Sequence, residues 1–265
     1  AASDVYKRQV LVGTSLAKSA ELQEKAQDFA GGLATLQQAQ AQFVVAGSIP
    51  AQSRNKLRIA QALQNLNRWE EAAKELDGLV LTFRNMKSRP SLVTTYALRG
   101  KQRAHDNDLK GALSDFNKAR STAKSLGSPQ LIANTELALC EHHAVQQDTK
   151  SARKHCSAAS EGFSKIGLWT LAARSHVLLA RLAQAKEEYL QARTDYLEAL
   201  RILSEEVAKS ARDEREISVQ EVNLCQVELR LKSNGANRRC LDADKALKRV
   251  KATDASYRGM VAATN

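Results

Sequence analysis

The chain has 265 residues, 43% hydrophobic and 26% charged, a balance typical of a protein that buries a core in water. Forty lysines and arginines against 29 acidic residues give a net charge of +11, which suits an acidic partner, an anionic membrane surface or nucleic acid. No apolar run approaches the roughly 18 residues of a membrane-spanning helix. Aromatic residues, at 5%, are too few for the stacking platforms of single-strand binders, which argues against a nucleic-acid partner.

Both ends of the chain indicate a fragment. The first residues, AASDVYKRQ, resemble a translated sequencing adapter, and there is no initiator Met. We therefore expect residues 1–11 to be non-native or disordered. The last residues, SYRGMVAATN, stop inside a helical pattern without a cap, so the chain is predicted to be an internal piece of a longer protein.

Four series of residues recur every 40 positions, which predicts a repeat protein. The first series consists of small residues: Ala20, Ala60, Gly100, Cys140 and Ala180. The second, twelve positions later, is also small: Gly32, Ala72, Ala112, Ala152 and Ala192. The other two are Leu36, Leu76, Phe116, Cys156 and Tyr196, and then Ala39, Leu79, Ala119, Ala159 and Ala199. Small residues are expected where two antiparallel helices cross closely.

Each repeat is predicted to be a pair of amphipathic helices. Apolar residues lie three or four positions apart, as in RWEEAAKELDGLVL and EYLQARTDYLEALRIL, and no alternating β-branched run predicts a strand. Turns inside the hairpins are expected near residues 28, 68, 108, 148 and 188. Pro50, Pro90 and Pro129 mark the starts of first helices, where proline loses no useful N–H.

The C-terminal part departs from this period. A sixth unit, VNLCQVELRLKSNGANRRCLDADKALKRV, is out of phase with the other five. Residues 253–265 are expected to begin a further, truncated repeat. Residues 12–252 are therefore predicted to form about six helical hairpins.

The pattern resembles the tetratricopeptide repeat (TPR), whose signature is a small residue in the first helix and Ala, an aromatic residue and Ala in the second. LNRWEEAAKELDGLVL and DNDLKGALSDFNKAR match it best, and the resemblance covers roughly residues 12 to 250. The period exceeds the commonest value of about 34 residues and is similar to the longer repeats of bacterial signalling proteins and motor light chains. The resemblance implies an all-α, right-handed solenoid of antiparallel helix hairpins.

Arrays of this kind bind peptides or helices on a concave wall formed by their first helices. Side chains one turn from the packed positions are expected to project into that wall. We refer to them as the wall residues: Gln61, Gln64, Asn65, Lys101, His105, Asn134, Glu141, Arg174, Arg181 and Gln184. They are polar and mildly basic, which predicts a protein or peptide partner of acidic character. The Lys/Asn constellation by which some TPR domains clamp a C-terminal carboxylate is not evident at matching positions.

The sequence favours a non-catalytic function without a cofactor. It contains no Gly-rich phosphate loop, no GxSxG elbow and no HExxH motif. The resemblance implies an interaction or sensory module, as in diguanylate cyclases and histidine kinases, where similar repeats stand N-terminal to the output domain. The alternatives are a cytoplasmic scaffold or regulator repeat region and a basic nucleic-acid-binding array. The sequence predicts no oligomeric state.

Two cysteine pairs are placed symmetrically about hairpin turns. Cys140 and Cys156 flank residue 148, and Cys225 and Cys240 flank a turn near residues 232–233. Members of each pair are expected to face each other, within the roughly 5.5–6 Å between Cα atoms that a disulfide requires. Disulfides would favour a periplasmic or secreted setting over the cytoplasm.

Two alternatives to disulfides exist for these cysteines. They could be reduced core residues, since free cysteine behaves as a small apolar side chain. A metal site could use Cys140, His143 and Cys156, because His143 lies one turn after Cys140. However, His155 is adjacent to Cys156 and is expected to point about 100° away from it, and the second pair brings no histidine. We therefore predict disulfides and no metal.

Overall fold

A computed structural model describes residues 2–25, 28–206 and 211–249, which form thirteen α-helices and no strand. In chain order, the first eight helices are α1 Ala2–Lys25, α2 Phe29–Val45, α3 Ile49–Asn65, α4 Trp69–Leu76, α5 Leu79–Asn85, α6 Arg89–His105, α7 Leu109–Leu126 and α8 Pro129–Val145. The others are α9 Thr149–Lys165, α10 Trp169–Ala185, α11 Tyr189–Glu206, α12 Ala211–Arg230 and α13 Ala236–Arg249. The fold of the described residues is thus an all-α solenoid of helix hairpins.

The hairpin turns lie where the 40-residue period predicted them. The second helices begin one residue after the predicted turn positions, at Phe29, Trp69, Leu109, Thr149 and Tyr189. Three of the turns carry an aspartate whose side chain accepts a hydrogen bond from a backbone N–H in the first helical turn: Asp28, Asp108 and Asp148. These caps satisfy donors that the helix leaves unpaired.

The turns also share a backbone conformation that recurs with the repeat. Inside four hairpins the residue before the cap has a positive φ: Asn67, Asn107, Gln147 and Glu187. Between hairpins the same holds for Gly47, Lys87, Gly127 and Gly167. Each series has a spacing of 40, and each left-handed residue ends one helix before the next begins. Two asparagines and three glycines at these positions are the sequence signal for the turns, since these residues tolerate positive φ best.

The first helices begin as the prolines predicted. Pro50 and Pro90 lie in the first turns of α3 and α6, and Pro129 opens α8. Helix α1 runs from Ala2, so residues 2–11 are helical here, whereas the sequence set residues 1–11 apart from the array. Their status as non-native residues stays a prediction. The truncated repeat expected at residues 253–265 lies outside the described residues.

The helices belong to two compact units that divide between Ala138 and Leu139, within α8. In the first unit, small residues of first helices pack near bulky residues of second helices. Ala20 and Leu36 share one apolar cluster, and Ala60 and Leu76 share the next. These side chains are all at most 4% exposed, so the small and the bulky residues of the repeat form the core together.

In the second unit the same register positions are equally buried. Ala180 and Tyr196, the small and bulky residues of the fifth repeat, are 0% and 1% exposed. In the fourth repeat both positions are cysteines, and they are bonded to each other. The disulfide thus replaces the small-to-large contact that the other hairpins use.

One second helix is interrupted, in contrast to the continuous helix predicted from RWEEAAKELDGLVL. Helix α4 ends at Leu76 and α5 begins at Leu79. Between them Asp77 is extended and Gly78 has φ 68°, a left-handed conformation that glycine adopts without steric cost. Asp-Gly is a strong turn signal, and here it outweighs the helical periodicity on both sides.

Candidate functional site

Most wall residues of the first unit reach solvent from first helices. Gln61 and Asn65 are exposed on α3, Lys101 is partly exposed on α6, and Asn134 is exposed on α8. These side chains are polar or cationic, and none is taken up by the core. They are therefore accessible to a partner that approaches the first helices of this unit.

Two other predicted wall residues of the first unit are engaged within the protein. Gln64 is only 6% exposed, and its Nε2 donates to the Leu98 carbonyl oxygen at 3.0 Å, so it ties α3 to α6. His105 is exposed, but its ring stacks on Trp69 with centroids 4.4 Å apart. Its Nδ1 lies 3.1 Å from Asp106 Oδ1. A binding role for either side chain stays a prediction.

The four wall residues of the second unit lie on α8 and α10. Arg174 Nη2 donates to Glu141 Oε1 at 2.8 Å, so these two charges pair with each other. Arg181 is exposed. Gln184 Oε1 accepts a hydrogen bond from the Tyr196 hydroxyl at 3.1 Å. Burial raises the pKa of Tyr196 above its usual value, although the Arg181 charge opposes this shift.

Both predicted cysteine pairs form disulfides in the structure. The Cα atoms of Cys140 and Cys156 lie 5.0 Å apart, and those of Cys225 and Cys240 lie 5.1 Å apart. The first bond joins α8 to α9 and the second joins α12 to α13, each across one hairpin. The pairing deduced from the symmetry about each turn is confirmed.

Three histidines lie beside the first disulfide. The rings of His143 and His155 are parallel with centroids 5.4 Å apart, and His142 meets His143 edge to face, also at 5.4 Å. His155 therefore faces the partner helix, contrary to the expectation that it would point away. The pKa values of His142 and His143 are lowered by burial and by neighbouring imidazoles. Within residues 2–25, 28–206 and 211–249, no group of three or more His, Cys, Asp and Glu side chains is placed to hold a metal ion.

Buried carboxylates paired with arginines form a feature that sequence reasoning missed. Asp115 on α7 is 0% exposed and accepts from Arg99 Nε and Nη2 at 2.7 and 2.8 Å and from Arg103 Nη1 at 3.1 Å. The hydrogen bond to Asp115 raises the pKa of Arg99. Arg120 Nε donates to Glu136 Oε1 at 2.6 Å in the same unit. Such pairs satisfy charges that would be costly to bury alone.

The second unit uses the same device. Asp195, two repeats after Asp115, accepts from Arg153 Nη2 at 3.1 Å. Burial opposes ionisation, but His176 and Arg153 together hold the pKa of Asp195 below its ordinary value. Glu228 accepts from Arg193 and Arg239 at 3.1 and 3.0 Å. The 80-residue spacing of the two aspartates was the available sequence signal.

A cavity of about 620 Å³ lies at the break between α4 and α5 in the first unit. Its lining comes from α4, the two break residues, α5 and α6: Ala73, Lys74, Leu76, Asp77, Gly78, Val80, Leu81, Arg84, Arg99 and Gln102. The lining combines apolar residues with three cationic side chains and one carboxylate. None of these residues was predicted as a binding residue, and the Asp-Gly pair was the only sequence signal for the break.

Among the described residues, no helix has the length and apolarity to cross a membrane. No protein-family model matches the chain, and no curated protein matches it. Solved structures do share its fold. The signal transduction ATPase of Pyrococcus horikoshii that carries a tetratricopeptide repeat sensor matches 95% of this chain at 14% identity and a TM-score of 0.67.

Two further structures are similar along almost their whole length. The apo form of RapI matches 89% of this chain and 83% of its own, at 12% identity and a TM-score of 0.64. BtubC from P. vanneervenii matches 93% of this chain and 91% of its own, at 14% identity and a TM-score of 0.60. The chain spans only 38% of the Pyrococcus ATPase. At these identities the likenesses establish the fold, which is that of tetratricopeptide repeats.

Proposed function

We propose that this TPR-like chain is a non-catalytic, peptide- or protein-binding sensory segment of a larger signalling protein. The observation that carries the proposal is the set of polar and basic side chains that first helices present to solvent within each unit: the exposed Gln61, Asn65 and Asn134, the partly exposed Lys101, and the exposed Arg181. A polar surface of net positive charge attracts an acidic partner. The likeness to a Pyrococcus signal transduction ATPase that carries a tetratricopeptide repeat sensor supports the sensory role.

The test selects ligands and then reverses single charges. Short random peptides displayed on phage are panned against the whole chain at about 150 mM salt, where long-range attraction is screened. We expect acidic sequences to be enriched and to bind about tenfold more weakly to Lys101→Glu or Arg181→Glu, depending on the unit that binds them. Lys110→Glu and Lys150→Glu, at exposed positions of second helices in the first and second units, are the matched controls.

Two results would contradict this proposal. Peptides that bind both wall variants as tightly as the parent would place recognition elsewhere on the molecule. Failure to enrich any acidic sequence would remove the electrostatic argument. Helical content measured by circular dichroism must be unchanged in each variant for the comparison to count.

A basic nucleic-acid-binding array is the second candidate, favoured by the net charge of +11. Binding of labelled single- and double-stranded DNA is measured by fluorescence anisotropy over a range of salt concentrations. We expect no binding at about 150 mM salt, because the scarce aromatic residues offer little stacking. Binding that persists there, with a steep linear dependence on the logarithm of salt concentration, would favour this candidate instead.

The disulfides support an oxidising compartment for the native protein, periplasmic or secreted. Thiol alkylation without prior reduction, followed by mass spectrometry of protein from its native source, tests this assignment. We expect none of the four cysteines to be modified. Four modified cysteines would instead favour the cytoplasmic scaffold or regulator region.

A further inference from the structure

The cavity at the break between α4 and α5 combines three kinds of recognition group. Cationic side chains come from Lys74, Arg84 and Arg99, against one carboxylate from Asp77. Apolar surface comes mainly from Leu81, which is 63% exposed although Leu79 and Phe83 of the same helix are buried. A cavity of about 620 Å³ falls within the usual range of ligand sites, about 300–1,000 Å³.

A buried acceptor in the wall requires a donor. Gln102 is 6% exposed and lines the cavity, and its Nε2 donates to Asp106 at 3.2 Å. Its Oε1 is buried and has no hydrogen-bond partner among the described residues. Buried side-chain oxygens are nearly always hydrogen-bonded, so this atom indicates a missing N–H or O–H group.

The three cationic side chains that line the cavity differ in whether they already bind other groups of the protein. Arg99 places Nε and Nη2 on Asp115, and Arg84 places Nη2 on the Tyr96 hydroxyl. The Lys74 ammonium lies within 4.0 Å of no carboxylate in the part of the chain that the structure describes, although its charge contributes to lowering the pKa of Glu71, and it is exposed in the cavity lining. Lys74 is therefore the cation best placed to bind an incoming anion.

We propose that this cavity is a second peptide site, which takes an acidic residue flanked by an apolar residue. The carboxylate lies against Lys74 and Arg84, and the apolar side chain packs on Leu81. A backbone N–H of the peptide donates to Gln102 Oε1 once that side chain rotates to expose the atom. A peptide supplies all three groups within two residues. That the ligand is a peptide rests on the proposed function; the location does not, because the cavity lies at the break in a second helix.

The probe is the blocked tripeptide N-acetyl-Leu-Glu-Leu-amide, titrated to millimolar concentration into the ¹⁵N-labelled whole chain. We expect saturable chemical-shift changes at the Gly78 backbone amide and the Gln102 side-chain amide. Lys74→Glu should weaken binding about tenfold or more, since it replaces an attractive charge with a repulsive one. Lys110→Glu is the matched control. Lys74 and Lys110 are both exposed helix positions, so neither substitution should unfold the protein.

Three outcomes would overturn the proposal. The first is an absence of shifts at Gly78 and Gln102 with the probe. The second is that N-acetyl-Leu-Gln-Leu-amide binds as tightly as the acidic probe, which would show that the cationic side chains do not bind the glutamate carboxylate. The third is that free glutamate alone produces the same shifts at the same concentration, which would make the site one for small carboxylates rather than peptides.

The two peptide sites are separated by the variant Lys101→Glu. Tripeptide binding that is unchanged in this variant and lost in Lys74→Glu supports the cavity, whatever the result for the first-helix wall. Tripeptide binding that is lost in Lys101→Glu and unchanged in Lys74→Glu overturns the cavity site and leaves the proposed function standing.

Discussion

Gly100 and Phe116 illustrate how single side chains set the distance between two helices of a hairpin. A Cβ atom on Gly100 would lie 2.7 Å from Phe116 Cε1, closer than real contacts allow. The first two repeats place alanine and leucine at the same two positions, Ala20 with Leu36 and Ala60 with Leu76. The third repeat thus exchanges a methyl group on one helix for a larger ring on the other.

Gly100→Ala is therefore expected to destabilise the protein despite the better helix propensity of alanine. The propensity gain is about 1 kcal/mol, whereas overpacking a buried site costs about 1–3 kcal/mol. The double variant Gly100→Ala/Phe116→Leu restores the pair of the first two repeats. We expect its loss of unfolding free energy to be about 1–2 kcal/mol smaller than the sum of the losses in the two single variants. Urea unfolding followed by circular dichroism measures all four proteins. Strict additivity of the two changes would refute the contact.

The histidines beside the first disulfide predict a loss of stability at mildly acidic pH. Burial lowers the folded-state pKa of His142 and His143 below the unfolded value of about 6.5, so the unfolded chain binds protons more readily. Their stabilising contribution is complete above that value and falls as pH drops through it. The neighbouring groups are His155, which disfavours the charged form of His143, and Asp148, which favours it.

Replacing the two histidines should flatten this pH dependence. The urea midpoint of the parent protein is expected to fall more between pH 7.5 and 5.5 than that of His142→Gln/His143→Gln. His105→Gln, at an exposed position in the first unit, is the control and should retain the parent slope. Equal slopes in all three proteins would contradict the assignment.

At the scale of the helices, buried ion pairs hold one helix in position against the next. Asp115 on α7 holds Arg99 and Arg103 on α6, and Glu136 on α8 holds Arg120 on α7. A carboxylate can accept bonds from a guanidinium only over a narrow range of helix positions, so each pair resists sliding of its two helices. Their geometry therefore contributes specificity as well as stability.

Asp115→Asn should destabilise the protein by about 3–5 kcal/mol. The change removes a fully buried charge and leaves the Arg99 and Arg103 guanidinium groups without their counter-ion. Lys118→Ala, which removes only an exposed ammonium 3.9 Å from the same carboxylate, should cost less than about 1 kcal/mol. Urea unfolding of both variants gives the comparison. Similar small losses in the two would mean that the pair is not structurally important.

At the scale of the whole molecule, the two compact units differ in how they are stabilised. All four cysteines lie in the second unit, and the first has none. Each disulfide closes a loop of 15 or 16 residues, which stabilises by about 3 kcal/mol on the chain-entropy model. Each unit also holds one of the two tryptophans, Trp69 in the first and Trp169 in the second.

Reduction should therefore weaken the second unit selectively. In Trp69→Phe the fluorescence of the remaining Trp169 follows unfolding of the second unit. In Trp169→Phe the fluorescence of the remaining Trp69 follows unfolding of the first unit. Adding dithiothreitol is expected to lower the urea midpoint seen by Trp169 and to leave that seen by Trp69 unchanged. Equal shifts of both reporters would show that the two units unfold together, and the absence of any shift would show that the bonds contribute no stability.

The sequence by itself determined the repeat, the hairpins and the cysteine pairs. These depend on local spacing: small residues every 40 positions mark helix crossings, and aspartates such as Asp28 and Asp108 mark helix starts. Symmetry about a turn brings Cys140 opposite Cys156 in any antiparallel hairpin, whatever the rest of the chain does. The same spacing placed Gln61 and Asn65 on an exposed surface, because they point about 100° and 140° away from the packed Ala60 on the same helix.

Only the tertiary structure decided which polar side chains are available to a partner. Gln64 lies on the same helix as Gln61 but is buried and donates to the Leu98 carbonyl oxygen of a different hairpin, and Glu141 is paired with Arg174 from the next first helix. Helical periodicity specifies the direction of a side chain, not what the neighbouring helix places in front of it. The cavity at Gly78 has the same origin: a local turn signal breaks one helix, and residues of α6 supply the other wall.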